Sequence, residues 1–186
     1  MKQELKNHLL PLLGIFLLTS LIWLFQKTVW YDFVFLFFGL LWGSFLLDVD
    51  HLIYWFFLKP NLEESELAKS AWKRGDYKSL LKLLESTHEN HINLVFHHYF
   101  FQIVITLISF FVFTSSSGIF AKAFLLAINI HLLVDEIKDF KNNPEHLKLW
   151  LFARETKQLP TESLKYYLLT FLVVNVFFTA FLFSSR

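Results

Sequence analysis

The chain contains no cysteine, so disulfides and thiolate-held metals are excluded. Any metal it binds must be held by imidazole, carboxylate or backbone oxygen. Glycine and proline are scarce, at five and four in 186 residues, and neither an internal repeat nor a low-complexity tract is present. Charge of one sign is also lacking. The net charge of +1, with His neutral, leaves no surface suited to nucleic acid. What the chain has instead is apolar bulk: 55% of its residues are hydrophobic and 24 are Phe. Soluble domains sit near ~45–50% apolar with glycine included. A single domain of this length cannot hide so many Phe side chains from water, so lipid is the expected solvent. The expected fold is an all-α integral membrane bundle over residues 1–186.

Five apolar runs stand out, at about 9–25, 29–47, 92–113, 119–134 and 164–183. A helix needs about 20 residues to cross the hydrocarbon. The fourth run reaches that length only if it continues through Asp135 and Glu136. Lys2 and Lys6 precede the first run as in a signal peptide. Thr19-Ser20-Leu21-Ile22-Trp23 offers no small-x-small cleavage site, so a retained helix is expected. Lys59, Lys69, Lys73, Arg74, Lys78 and Lys82 crowd the second connection, and Lys141, Lys148, Arg154 and Lys157 the fourth. The third, Thr114 to Gly118, has none, and the first has only Lys27. The positive-inside bias then puts the N-terminus and both long connections in the cytoplasm, and Arg186 across the membrane. Within the second connection, Pro60-Asn61 before Glu63 and Glu64 reads as a helix start, and Gly75-Asp76 separates a second helix. The fourth, with Leu147, Trp150 and Leu151, has a similar pattern. Such helices lie on the membrane surface or pack on each other as small soluble helices. Gly39 and Gly43 form a GxxxG, which reads as a close helix contact.

The polar residues cluster. Of eight His, six fall in three places: His51; the group His88, His91, His97 and His98; and His131. Asp48 and Asp50 flank the first place, and Asp135 and Asp139 the last. The end of span two, the start of span three and the end of span four must share one face, because helices alternate direction. His91 and His98, seven residues apart, fall about 20° from one another on a helix and about 10 Å apart in depth. His97 points off that face. His131 and Asp135 form an i, i+4 pair on one face. Asp48 and His51 share a face, and Asp50 joins them only if the helix unwinds near Val49. His8 and His146 lie in flanking or connecting segments.

An Asp at mid-membrane costs about +2.5 to +3.5 kcal/mol by insertion scales. Such residues normally face a protein interior and mark function. A divalent cation would offset the repulsion among these carboxylates. The expected ligands are Asp50, His51, His91, His98, His131 and Asp135. Nitrogen and oxygen donors suit Zn or Mn, with Fe(II) also compatible. The donors outnumber one coordination sphere, so two ions are compatible with the set.

The run Gly43-Ser44-Phe45-Leu46-Leu47-Asp48-Val49-Asp50-His51 resembles the Gly-Ser-x-x-Pro-Asp-x-Asp-His signature of the membrane-bound metal-dependent hydrolases, also described as LexA-binding inner-membrane-associated hydrolases. His131-Leu132-Leu133-Val134-Asp135 resembles the His-x-x-x-Asp element of that family. Leu47 stands where the signature has proline, and the family's His-Arg-x-x-Thr-His-Ser segment is not present. The resemblance implies metal binding by Asp48, Asp50, His51, His131 and Asp135. It also implies an inner-membrane location.

The leading expectation is a hydrolase at the cytoplasmic interface, acting on a lipid-linked ester or phosphoester, with Asp48 or Glu136 as general base. The partner is then a membrane lipid. The alternatives are a metal-ion or proton transporter and a non-catalytic scaffold with a structural metal. The nearly apolar distal half of span three, Ile108 to Phe113, weighs against transport. No feature indicates an oligomeric state.

Overall fold

A computed structural model describes residues 2–115, 118–153, 155 and 160–185, with side chains from residue 8 onward except that of residue 89. Arg154, Lys157 and Arg186, used in the charge count, lie outside the described residues, as do the side chains of Lys2 and Lys6. All regular structure among the described residues is helical. The order is α1 (Lys2–Phe25), α2 (Trp30–Leu46), α3 (Val49–Ile53) running into a π-helical turn (Tyr54–Leu58), α4 (Glu63–Lys73), α5 (Tyr77–Thr87), α6 (Tyr99–Thr114), α7 (Ile119–Asn142), α8 (Pro144–Leu151) and α9 (Ser163–Ser184).

Three stretches are long and apolar enough to cross a membrane, His8–Phe25, Trp30–Leu58 and Ser163–Ser184, where the sequence suggested five. The two shortfalls have different causes. Span three was expected from residue 92, but the chain from His91 to His98 is not helical, and α6 has only 16 residues. α7 has ample length, 24 residues, yet is too polar to qualify. Its polar groups do not face lipid. Lys122, Asn129, His131, Asp135 and Glu136 are all buried. α7 is the central helix, touching α1, α2, α6, α8 and α9. As expected, the helix runs on through Asp135, ending at Asn142.

The outer helices show the opposite pattern. Leu17, Leu21 and Leu24 of α1, Phe100 and Leu107 of α6 and Val173 of α9 are exposed although large and apolar. This inversion is what a bilayer solvent allows. Without a strong hydrophobic force between helices in lipid, polar contacts and close packing hold the bundle. Asn129 Nδ2 donates to Ser109 Oγ at 2.9 Å, and Thr106 Oγ1 donates to Asn129 Oδ1 at 3.3 Å, joining α6 to α7. α2 meets α7 through the GxxxG. A Cβ on Gly39 would stand 2.7 Å from Ala123 Cβ, and one on Gly43 would stand 2.7 Å from Ala127 Cβ and strike the Phe124 carbonyl oxygen.

The surface helices form where the sequence placed them. Asp76 Oδ1 accepts from Ser79 N at 3.1 Å and caps α5 after Gly75, whose φ of +68° favours glycine. α4 and α5 pack on each other and on the π-helical turn, through Ala68, Ala71, Leu80, Tyr54 and Trp55. α8 buries Leu147, Trp150 and Leu151 against Leu164 and Leu168 of α9, so its apolar face meets protein.

Gly43→Val should therefore prevent the α2–α7 approach and lower the melting midpoint in detergent, with overpacking costing about 1–3 kcal/mol or more. Gly14→Ala, where nothing lies within 4 Å of the added Cβ, is the matched control. Equal melting of the two variants would refute this contact as the organising one.

Candidate metal centre

The site begins with a break in the second span. α2 ends at Leu46 and α3 starts at Val49. Between them the ladder tightens to i, i+3 bonds, Asp50 N to Leu47 O at 2.9 Å and His51 N to Asp48 O at 3.3 Å. The helix thus tightens at Leu47 and Asp48, which keep right-handed helical dihedrals, rather than unwinding beside Val49. The result is that Asp50 and His51 turn fully inward while Asp48 stays half-exposed.

Asp50 then orders the histidine-rich segment. Its Oδ1 accepts from Val95 N at 3.0 Å, its Oδ2 accepts from Phe96 N, and His97 Nδ1 lies 3.3 Å from Oδ2. Consecutive amides turned to one carboxylate are incompatible with a helix through 91–98. The expected helical face shared by His91 and His98 therefore does not exist. His98 instead sits at the N-cap of α6, its Nδ1 accepting from Phe100 N at 3.3 Å. His97, expected to point away, is brought into the centre.

Asp135 is the focus. His8 Nε2 lies 3.3 Å from its Oδ1. His131 Nε2 lies 3.3 Å and His97 Nε2 3.7 Å from its Oδ2. His8, His131 and Asp135 are all buried, and one ligand atom from each lies within 4.8 Å of the others. These three residues can hold a metal ion. The rings of His8 and His131 stack with centroids 3.9 Å apart, so both Nε2 atoms present to the same carboxylate. Asp48 Oδ1 is 3.9 Å from His131 Nε2 on the open side.

Proton positions follow from the partners. His131 Nδ1 is 2.8 Å from the Ser44 carbonyl oxygen, which can only accept, so Nδ1 carries the hydrogen. In the neutral ring Nε2 is then bare and faces a carboxylate oxygen. His97 repeats the pattern if Nδ1 donates to Asp50. Among the described residues, Asp135 Oδ2 is buried and has no hydrogen bond of ordinary geometry. The spacings to it exceed the ~2.7–2.9 Å of charge-assisted bonds. The 3.3 Å of His131 matches an edge of a tetrahedral site with bonds of ~2.0–2.2 Å, roughly 3.3–3.6 Å, and the 3.7 Å of His97 is longer.

A second imidazole group adjoins the first. His51 Nδ1 and His91 Nδ1 are 2.7 Å apart, and the His51 and His88 ring centroids 4.6 Å. Burial and the neighbouring His88 hold His91 down to about 4, with Asp50 opposing. A neutral His91 that keeps its proton on Nε2, 3.5 Å from Glu64 Oε1, accepts at Nδ1. His51 then donates from Nδ1 and leaves Nε2 bare, buried and without a hydrogen bond.

Glu136 is fully buried, with Gln102 and Tyr167 beside its carboxylate. Asp139 braces α8 against α7, accepting from Trp150 Nε1 at 2.7 Å and pairing with His146 Nδ1 at 2.8 Å.

Of the residues singled out from sequence, the structure thus gathers His131, Asp135 and Asp48 at one point. Asp50, His51 and His91 lie in the adjoining layer, and His98 and Glu136 are set apart. Sequence reasoning missed His8 and misdirected His97. The signal for His8 was its position at the start of span one, which topology puts at the same face as the other clusters. No family model matches the chain, and no curated protein or solved structure is similar to it.

Asp50→Ala would strand the Val95 and Phe96 amides, each costing about 1–3 kcal/mol if buried. Hydrogen exchange over residues 92–98 should accelerate and the melting midpoint fall, with Asp50→Asn intermediate. Unchanged protection in Asp50→Ala would show that the segment is held by something else.

Proposed function

We propose that this protein is a membrane-embedded metal-dependent hydrolase acting on an ester or phosphoester of a membrane lipid. In this reading α6 and α7 complete a five-helix bundle with α1, α2 and α9. The bundle lies in the inner membrane, with its N-terminus and the His/Asp cluster at the cytoplasmic face. The observation that carries it is the geometry about Asp135 Oδ2: buried, without a hydrogen bond of ordinary geometry among the described residues, and faced by two imidazole nitrogens at 3.3 and 3.7 Å. Where those rings are neutral, nitrogen opposite carboxylate oxygen is repulsive without a cation between them. His8, His131 and Asp135 would hold a single ion, and nitrogen and oxygen donors favour Zn or Mn. The resemblance of 131–135 to the His-x-x-x-Asp element of the metal-dependent hydrolases supports two of these ligands, His131 and Asp135.

Bound there, a divalent cation supplies Lewis acidity to the scissile group. The chain's own residues supply the rest. Ser44 fixes the orientation of His131 from behind, as partners of ligating imidazoles commonly do. Asp50 holds His97 against Asp135. Asp48, half-exposed and 3.9 Å from His131, is placed to take a proton from water at the open side. Glu136 is not placed for that role, since its carboxylate lies beside Gln102 and Tyr167. A small cavity of about 30 Å³ between Asp135, His97 and His88 has room for one or two waters.

The test is elemental analysis of purified protein, with calorimetric titration of Zn and Mn after chelation. The wild type should retain an ion stoichiometrically. His131→Ala and Asp135→Ala should each weaken binding by about 100-fold or more, beyond the 10–100-fold typical of outer partners. Asp48→Asn should bind metal but lose release of fatty acid or phosphate from phospholipid vesicles. A wild type that holds no divalent ion, with the pair surviving as an imidazolium–carboxylate, would overturn the reading. Metal flux into proteoliposomes without hydrolysis would replace it with transport.

A further inference from the structure

A cavity of about 450 Å³ opens beside the cluster, between the α2–α3 break and the amphipathic helix α5. Its size lies within the ~300–1,000 Å³ of small-molecule sites. Its two ends differ chemically. One end is polar: His8, which reaches Asp135, and Asp48, which approaches His131, both line it. The walls beyond are apolar, with Phe45, Val49 and Leu52 on one side and Leu80, Leu81 and Leu84 on the other. Phe45, Val49 and Leu81 are also 42%, 42% and 43% exposed, so the apolar wall runs without interruption onto the outer surface of the bundle.

We infer that this cavity receives the acyl chain of the lipid substrate, which places the lipid's ester or phosphoester linkage at His8 and Asp48. This assignment rests on the hydrolase reading for what happens at the polar end. The binding of the chain does not. Glu85 and His88 add polar groups where α5 ends, but most of the wall area is apolar, which suits a hydrocarbon chain better than a sugar or a base. The open rim of Phe45, Val49 and Leu81 gives a lateral path from the bilayer without passage of the chain through water. α5, capped by Asp76 and carrying Lys78 and Lys82 on its exposed face, is the wall on the water side.

The experiment uses the full chain in phosphatidylcholine nanodiscs containing a phosphatidylcholine with a photoactivatable diazirine in one acyl chain. Illumination and peptide mapping should give labels concentrated on 45–55 and 80–85. Leu84→Trp fills the cavity. Excluding even two methylenes at about fourfold each should cut that labelling about tenfold or more. Val49→Gln, at the exposed rim, changes polarity rather than bulk and should reduce it while preserving monodisperse elution. Leu107→Trp on the outer face of α6 should change nothing. Labelling should persist after chelation of metal, so a chain that binds without hydrolysis separates this inference from the hydrolase reading. Labels spread evenly over the outer faces of α6 and α9, or labelling of 80–85 indifferent to both cavity variants, would overturn the inference and leave only annular lipid.

Discussion

A carboxylate buried in an apolar bundle must be compensated, and the arrangement around Asp135 follows from that requirement. Desolvating a charge costs several kcal/mol even after relaxation. Around it stand imidazoles drawn from three separate stretches of chain, His8 from α1, His97 from the segment before α6, and His131 one turn away on α7, which compensate the charge either as protonated rings or by holding a cation. Each must be carried to the same depth by its own element. The glycine contact between α2 and α7 is one means, since the Ser44 carbonyl reaches His131 only if the two backbones nearly touch. The break after Leu46 is another, because a continuous helix would turn Asp50 away from the segment it holds.

Asp50 illustrates how one side chain can set both structure and site. By accepting from two successive amides it keeps residues 91–98 out of the helix, shortens α6 and orients His97. The local cost is an apolar helix of 16 residues, too short to count as a span by length. The return is that an imidazole otherwise destined for the outside of a helix faces Asp135. Stability and site geometry are thus linked through this residue. A loss of function on altering it would not by itself identify it as a ligand.

Much of the fold was legible in sequence because its signals are local. Apolar runs, the Pro60 and Gly75 punctuation and the Asp76 cap all report on neighbouring residues, and the helices formed there. The i, i+4 pair of His131 and Asp135 survived because α7 is regular throughout. What failed depended on contacts distant in sequence. Helical periodicity through 91–98 was a reasonable extrapolation from the apolar residues of α6, and only the reach of Asp50 across 45 residues defeats it. His8 reads from sequence as part of a flanking segment, although the alternation of helices sets it at the same level as His51 and His131. The polarity of α7 cut the other way: five polar residues looked like a weak span because hydropathy cannot tell a lipid-facing helix from a central one.

The cluster separates two cavities of opposite character. On one side a space of about 450 Å³ is lined by Leu, Phe and Val for half of its residues, and on the other a space of about 30 Å³ is bordered by His88, His97, Asp135, Lys138 and Asp139. His88 borders both. A structural metal site needs neither opening, and it would be more stable with both filled by side chains. A transport path would need the polar groups to continue along the bundle axis. Here the next layer, Asn129 with Ser109 and Thr106, is closed by hydrogen bonds between helices. A reaction joining an apolar substrate to water requires one access of each kind at one cluster; the large cavity reaches it at His8 and Asp48 and the small one at His97 and Asp135, an asymmetry that fits the proposed hydrolysis of a lipid better than either alternative.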